Sequence, residues 1–211
     1  MLISDTNEFI FVHIRKSAGG SINETLRSVS IPRPSDIISK VRTKLGWEKD
    51  YHHYRFRQHA SLLKAKEVLP EEVFDNYFKF AFVRNPFTRL VSEYEYIRGN
   101  KEHHRNRRVS RMNFDQYITF QAGRFDGHQT NMLTDENGKL LTDFVGKIEN
   151  LEEDWKIVCE RLNIPLTELP HNKKAKTVDY ADYYNENNIK LVAKLWAKDF
   201  ETFQYPSTFE L

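Results

Sequence analysis

Short runs rich in apolar residues alternate along the chain with longer segments in which apolar residues recur at every third or fourth position. Three of the runs, at residues 8–14, 78–83 and 143–149, are too short for surface helices and predict buried strands. The longer segments predict amphipathic helices. Because strands alternate with helices, the pattern favours an α/β protein with a central, mostly parallel sheet that helices cover on both faces.

The first predicted strand leads into a turn and a helix. Two glycines at residues 19–20 follow the strand, and apolar residues recur at helical spacing over residues 22–29. Ser21 can accept a hydrogen bond from the start of this helix, and Glu24 stands three residues later, as in a capping box. We therefore expect strand, turn and helix in that order, with Ser21 as the N-cap.

Six further segments predict helices. Pro86 suits the first turn of one of them, and Pro70 ends one helix and opens the next. The chain has no internal repeat and no low-complexity linker, so we expect a single domain over residues 1–211. The six predicted helices cover residues 60–69, 70–77, 86–99, 114–122, 151–163 and 185–203.

Composition narrows the class of protein. Hydrophobic residues make up 39% of the 211 residues and charged residues 29%, which is typical of a folded, soluble protein. The net charge is only +2, so any affinity for phosphate must come from local clusters. A single cysteine, Cys159, excludes an internal disulfide and fits a reducing compartment. We see no signal peptide and no apolar run of roughly 20 residues, so we expect a cytoplasmic protein without a membrane span.

The stretch HIRKSAGGSI, at residues 13–22, has the features of an anion site. A strand that enters a glycine turn and a helix presents backbone N–H groups and the positive end of the helix dipole. Lys16 adds a mobile charge, and Ser17 and Ser21 add hydroxyl groups. The lysine precedes the glycines, unlike the lysine of the nucleotide P-loop. From the residues alone, a phosphate site and an ordinary tight turn with a surface lysine both stay open.

A second polar constellation follows the second predicted strand. Arg84 stands at the end of that strand, Pro86 opens the next helix, and Ser92 lies two helical turns further on. The planar fork of an arginine suits a phosphate group. Arg84 and Ser92 could therefore face one ligand group, and a surface arginine beside an unrelated helix serine stays equally open.

Together the two stretches resemble the sulfotransferases that use 3′-phosphoadenylyl sulfate. HIRKSAGGSI resembles their 5′-phosphosulfate loop, and FVRNPFTRLVSEY, at residues 82–94, resembles their 3′-phosphate motif. The similarity is strongest for the carbohydrate group that includes the heparan sulfate 2-O-sulfotransferases, and it implies a P-loop-NTPase-like sulfotransferase fold. Four further segments are similar to that group: QHAS at 58–61, KIENLEEDW at 147–155, PHNKK at 170–174 and LVAKLWAKDFETFQY at 191–205.

The resemblance implies roles for individual residues. Lys16 would stabilise the charge on the leaving phosphate, and Arg84 and Ser92 would bind the 3′-phosphate. The loop would hold the 5′-phosphate and the sulfonate, with Arg15 standing where the family usually has proline. The implied nucleotide-binding set is Arg15, Lys16, Ser17, Ala18, Gly19, Gly20, Ser21, Ile22, Arg84, Ser92, Asn172 and Lys174.

The resemblance also implies a catalytic histidine. His59 occupies the chain position of the family's base, between the two nucleotide motifs, and would accept the proton of the acceptor hydroxyl. The donor would leave as adenosine 3′,5′-bisphosphate, and no metal ion would be needed. From the residues alone, a capping or surface role for His59 stays open, and so do five other histidines as the base: His13, His52, His53, His128 and His171.

The acceptor is the least defined part of the prediction. The resemblance implies a carbohydrate or another hydroxyl-bearing acceptor and no nucleic-acid partner. The basic run at residues 98–111 could attract an anionic glycan, contact nucleic acid or form a solvated loop or frayed helix end. Two other functions stay open: a P-loop-like small-molecule kinase, and a non-enzymatic module that binds polyanions or nucleic acid through residues 98–111.

Overall fold

The computed structural model describes residues 1–27, 55–170 and 179–209, together with Ile38, Val41, Leu45 and His52. The chain divides into two units. Unit 1 comprises Met1–Phe82 and Met132–Asn172, and unit 2 comprises Val83–Asn131 and Lys173–Leu211. The single domain expected over residues 1–211 stays a prediction.

Among the described residues, unit 1 is built on a four-stranded sheet. Its strands, in their order across the sheet, are β1 (Leu2–Ser4), β2 (Phe9–Val12), β3 (Phe78–Val83) and β4 (Phe144–Lys147). β1 is antiparallel to β2, and β2 is parallel to β3. The three predicted strands are present, and β1 was missed because three residues are too few for a periodic signal. The predicted α/β class, with a mostly parallel sheet and flanking helices, is confirmed.

Most of the helices lie in predicted segments, whereas the short helix Gln129–Leu133 was not predicted. Pro86 is the first residue of its helix, as predicted, and Asn85 caps that helix by accepting a hydrogen bond from the Phe87 amide at 2.9 Å. No helix of the described residues is long and apolar enough to cross a membrane. Within the described ranges, the α-helices are α1 (Gly19–Leu26), α2 (Leu62–Val68), α3 (Glu71–Asn76), α4 (Pro86–Gly99), α5 (Asn106–Val109), α6 (Phe114–Ala122), α7 (Gln129–Leu133), α8 (Leu151–Leu162), α9 (Glu186–Leu195) and α10 (Ala197–Thr202).

The core of unit 1 fixes the carboxyl end of β2, where the candidate site begins. Phe9 and Phe11 point to one face of the sheet, and both rings pack against Phe80 of β3, at centroid distances of 6.0 Å and 5.1 Å. Ile22 of α1 and Trp155 of α8 belong to the same buried cluster. All four residues of β2 are buried, so both faces of this strand are covered.

Unit 2 has its own core, formed by α4, α6, α9 and α10. Its buried cluster includes Phe87, Tyr117, Trp196 and Phe200. The predicted single helix over residues 185–203 is wrong, because α9 ends at Leu195 and α10 begins at Ala197. Between them, the backbone at Trp196 leaves helical geometry, at a φ of −105° and a ψ of 22°, while its fully buried side chain donates from Nε1 to the Gly127 carbonyl at 2.9 Å.

The start of α1 also differs from the prediction. Ser21 is not the N-cap, since α1 begins at Gly19 and Ala18 occupies the cap position in a left-handed conformation, at a φ of 55°. The left-handed turn brings the chain into helical geometry two residues earlier than the serine signal indicates. Ser21 therefore lies inside the first turn of α1.

Candidate active site

The loop between β2 and α1 carries Lys16; we call residues 14–18 the Lys16 loop. Lys16 and Ala18 both have positive φ angles, of 62° and 55°. Positive φ is uncommon for residues other than glycine, and such conformations cluster at functional sites. Ser17, between them, is 1% exposed, whereas Lys16 is half-buried. The chain therefore holds a costly backbone shape at the position where the sequence predicts an anion.

The amino end of α1 is suited to a negative ligand. Within the described residues, no side chain caps this helix and its first turn contains no acidic residue. The first amides of a helix have no intrahelical partner, and the helix dipole adds a positive potential there. The Ile22 amide donates to the Ala18 carbonyl at 3.2 Å, and the Ile22 side chain is buried in the core. The amides of residues 18–21, which the sequence predicts as anion ligands, lie at this end of α1.

Gly19 is required by the packing of His13. The ring of His13 lies against the Gly19 backbone, and an added Cβ at Gly19 would come within 2.9 Å of Cγ and still closer to Cδ2 and Nε2. No carbon side chain fits at that distance, so only glycine allows His13 and α1 to approach in this way.

His13 is buried and accepts two hydrogen bonds at one atom. Its Nδ1 lies 3.0 Å from Nδ2 of Asn23 and 3.0 Å from Nε2 of Gln58, and both amide groups donate. Burial, with the neighbouring His59 and Arg15, lowers the pKa of His13 to about 3. His13 is therefore neutral near pH 7, with its proton on Nε2.

His59 lies directly against His13. Its Nδ1 is 2.9 Å from the backbone carbonyl oxygen of His13, and the two rings meet edge to face at a centroid distance of 4.8 Å. Because a carbonyl oxygen only accepts, Nδ1 of His59 carries the proton and donates it. In the neutral ring Nε2 is then the basic nitrogen. The structure thus brings the predicted base to the residue from which the Lys16 loop begins.

The other candidate histidines among the described residues have structural contacts. Nδ1 of His52 lies 2.6 Å from the Asp5 carboxylate. Nε2 of His128 lies 2.9 Å from the Ala122 carbonyl oxygen, and its ring stacks on Trp196. His53 and His171 lie outside the described residues, as do Asn172 and Lys174 of the predicted nucleotide-binding set.

Unit 2 holds Arg84 just after β3. Its backbone is paired twice with the buried side chain of Gln129: the Arg84 amide donates to Oε1 at 2.9 Å, and Nε2 donates to the Arg84 carbonyl at 2.8 Å. Its guanidinium group donates from Nε to the Thr88 hydroxyl at 3.0 Å and from Nη2 to the Tyr180 hydroxyl at 2.8 Å. These contacts fix the position and plane of the guanidinium group.

Ser92 lies on the same side of α4 as the Arg84 contact. Thr88 and Ser92 are four residues apart on α4, so their side chains share a face. Since Arg84 donates to Thr88, the arginine contacts the face of α4 on which Ser92 also lies. Both residues are half-buried, which leaves part of each side chain accessible.

Several residues that support Arg84 were missed in the sequence. Gln129 and Tyr180 lie 45 and 96 residues from Arg84, so neither has a spacing that would indicate the contact.

Arg89, the second arginine of the motif, is 1% exposed and donates to the Gly127 carbonyl at 2.8 Å and the Asp126 carbonyl at 3.1 Å. Arg89 therefore supports the fold of unit 2.

Part of the basic run at residues 98–111 is buried or helical, so the interpretation of this run as a solvated loop is wrong for that part. Arg105 is buried and pairs with the Asp126 carboxylate at 3.1 Å, because a charge inside the fold needs a partner. The following residues form α5 and border an open concavity of about 730 Å³, which we call the arginine groove. Among the described residues it is lined by His104, Arg107, Arg108, Arg111, Met112 and Gln116, none of them acidic.

One family model and several known proteins match this chain in sequence. The model of the sulfotransferase family matches residues 1–206. Carbohydrate sulfotransferase 14 of Danio rerio is 24% identical over 98% of this chain and 62% of its own length. Carbohydrate sulfotransferase 12 of Xenopus laevis is 25% identical over 84% of this chain and 50% of its own length. An uncharacterized protein of Archaeoglobus fulgidus is 33% identical over 45% of this chain and 75% of its own length.

Proposed function

We propose, since this chain belongs to the sulfotransferase family, that it transfers a sulfuryl group from 3′-phosphoadenylyl sulfate to a hydroxyl group of a carbohydrate or a related acceptor. The family supplies the donor, and the by-product is adenosine 3′,5′-bisphosphate. Two relatives are carbohydrate sulfotransferases, which supports a carbohydrate acceptor. This chain spans 62% and 50% of their lengths, so their acceptors are not carried over in detail.

In unit 1, the Lys16 loop and the first turn of α1 bind the phosphosulfate. The amides of residues 18–21 donate to its oxygens, with the Ser21 hydroxyl and the charges of Arg15 and Lys16 beside them. Lys16 neutralises the charge that develops on the bridging oxygen as the bond between sulfur and that oxygen breaks. Ser17 and Ile22, whose amide donates to the Ala18 carbonyl, also belong to the predicted nucleotide-binding set.

His59 is the general base. Its Nε2 accepts the proton of the acceptor hydroxyl while the hydroxyl oxygen forms a bond to sulfur, and the bisphosphate leaves with the electron pair of the broken bond. The hydrogen bond from Nδ1 of His59 to the His13 carbonyl is the observation that carries the proposal. It selects the tautomer in which Nε2 is basic.

In unit 2, Arg84 and Ser92 bind the 3′-phosphate of the donor. A guanidinium group held by Thr88 and Tyr180 has little freedom left to lose when a phosphate binds. The 3′-phosphate is the group that distinguishes this donor from ATP, so these residues give the nucleotide specificity.

An assay with labelled donor and a panel of sugars tests the proposal. We expect transfer by the unmodified protein, without added magnesium and in the presence of a chelator. His59→Ala should lower kcat by about 10²- to 10⁴-fold and keep the affinity for adenosine 3′,5′-bisphosphate. Failure to transfer to any hydroxyl-bearing acceptor, or full turnover by His59→Ala, would contradict it. Magnesium-dependent phosphate transfer from ATP would instead favour the kinase.

The arginine groove favours a second candidate function, the binding of a polyanion. Arg107, Arg108 and Arg111 are exposed on its lining and can release counterions from an anionic chain. Binding of heparin or of single-stranded DNA should weaken steeply with salt, and replacing these three arginines by glutamine should flatten that dependence. Tight DNA binding without any response to the bisphosphate nucleotide would favour a non-enzymatic module.

A further inference from the structure

We propose that His13 is a positioning residue that ties the Lys16 loop to His59, so that the phosphosulfate site and the base are held in one arrangement. The inference rests on the proposed function of both parts and adds a residue to which neither the family match nor the relatives assign a role. Four contacts of His13 within unit 1 support it.

The first two contacts join His13 to α1. The imidazole ring packs on the backbone of Gly19, where no Cβ would fit. Its Nδ1 accepts a hydrogen bond from Asn23, one helical turn further along α1, at 3.0 Å. A shift of His13 would therefore move the helix end that presents the amides, or break both contacts.

The other two contacts join His13 to the base. The side chain of Gln58 donates to the same Nδ1 at 3.0 Å, and the next residue, His59, donates from its own Nδ1 to the His13 carbonyl oxygen at 2.9 Å. The His13 side chain thus holds Gln58, the residue before the base, and the His13 backbone carbonyl holds the ring of His59. These partners lie 45 and 46 residues away in sequence.

The chemistry of the shared atom makes this arrangement specific. Nδ1 faces two amide N–H donors, so it must be unprotonated, and in the neutral ring Asn23 and Gln58 share its one lone pair. An aromatic ring of similar shape without this nitrogen would keep the packing on Gly19 and lose both hydrogen bonds. An asparagine would keep an acceptor near the Nδ1 position and lose the ring.

His13→Phe is the direct test. Because a displacement of about 1 Å can cost 10²-fold in rate, we expect kcat to fall by about 10- to 100-fold with a much smaller change in affinity for adenosine 3′,5′-bisphosphate. His13→Asn should recover a large part of the lost kcat. Trp155→Phe is the matched control: it removes the buried bond from Trp155 Nε1 to the Thr167 carbonyl and should lower thermal stability without lowering kcat.

A double-mutant cycle separates positioning from simple destabilisation. Gln58 is exposed, so Gln58→Met should fold normally and lower kcat in the unmodified protein. In the His13→Phe background the same change should have little further effect, because the contact is already gone. Additive losses of kcat would overturn the proposal. If His13→Phe does not fold, Gln58→Met carries the test, and an unchanged kcat overturns it.

The ring nitrogens of His59 give a readout that does not depend on turnover. In 15N NMR, with the signals identified by His59→Gln, the unmodified protein should have His59 with the proton on Nδ1. In Gln58→Met and His13→Phe, both tautomers of His59 should be populated. An unchanged spectrum in both variants would overturn the proposal that His13 positions His59. If the spectra show that His13 positions His59 but the unmodified protein neither binds the bisphosphate nor transfers sulfate, the proposed function fails and the positioning role of His13 does not.

Discussion

The two units present different chemistry to a phosphate. In unit 1 the candidate ligands are backbone amides at the amino end of α1. Their positions depend on two positive φ angles in the Lys16 loop and on His13, which packs on Gly19. In unit 2 the candidate ligand is a guanidinium side chain, oriented by hydrogen bonds to Thr88 and Tyr180. The backbone site depends on shape and tolerates no added atoms, whereas the arginine site depends on one functional group and its orientation.

Lys16→Met should have the largest effect, because in the proposed function Lys16 supplies the charge that acts in the transition state. We expect kcat to fall by about 10²- to 10³-fold, with a smaller change in bisphosphate affinity. Lys64→Met is the control, since Lys64 forms an exposed pair with Glu67 at 2.9 Å on α2. Steady-state kinetics with labelled donor measure both. Equal losses in the two variants would count against a role for Lys16.

Gly19→Ala and Gly99→Ala compare a glycine that packing requires with one that it does not. In unit 1 the new Cβ would overlap the His13 ring, so we expect a loss of about 1–3 kcal/mol in the free energy of unfolding and loss of bisphosphate binding. In unit 2 the new Cβ at Gly99 would meet no atom within 4 Å apart from its chain neighbours and its own helix backbone, and alanine there favours the helix by up to about 1 kcal/mol. Urea unfolding measures both, and a tolerated Gly19→Ala would refute the shape argument.

Arg84→Gln should weaken nucleotide binding more than it slows the reaction. Losing a hydrogen-bonded charge costs about 1.5–3 kcal/mol, which corresponds to an affinity about 10- to 150-fold lower for adenosine 3′,5′-bisphosphate. Arg98→Gln, which breaks an exposed pair with Glu95, is the control and should bind normally. Titration calorimetry gives the comparison. Unchanged affinity of Arg84→Gln would exclude Arg84 as the 3′-phosphate ligand.

The pH dependence of stability should reflect the low pKa of His13. Unfolded His13 binds a proton near pH 6.5, whereas folded His13 stays neutral down to about pH 3. This contribution to stability is therefore fully present above about pH 6.5 and is lost as the pH falls toward 3, by up to about 1.4 kcal/mol per pH unit. His13→Phe should have a flatter decline between about pH 7 and pH 5 in urea unfolding, and parallel curves would contradict the low pKa.

Much of the fold could be predicted because it depends on local patterns. The buried strand at Phe78–Val83 and the helix that opens at Pro86 were predicted correctly, since an apolar run and a proline act over a few residues. The break at Trp196 and the early start of α1 were missed. At Trp196 the buried side chain bonds to Gly127 in a distant segment, and at Ala18 the backbone takes a left-handed conformation; neither feature is indicated by apolar spacing or by a capping residue type.

The candidate site could be predicted only in its residue types. The strand, glycine turn and lysine indicated an anion, and the resemblance singled out His59. The contacts that give these residues their chemistry join positions far apart in sequence, such as His13 with Gln58 and Arg84 with Tyr180. Long-range pairs have no spacing rule, so the tautomer of His59 and the orientation of Arg84 came only from the structure.

Calorimetry with adenosine 3′,5′-bisphosphate and adenosine 5′-monophosphate tests the central claim most directly. If the chain uses 3′-phosphoadenylyl sulfate, the bisphosphate should bind with a stoichiometry near one and at least about tenfold more tightly than the monophosphate, since only the bisphosphate offers a group to Arg84. Absence of binding, or equal affinity for the two nucleotides, would contradict the account.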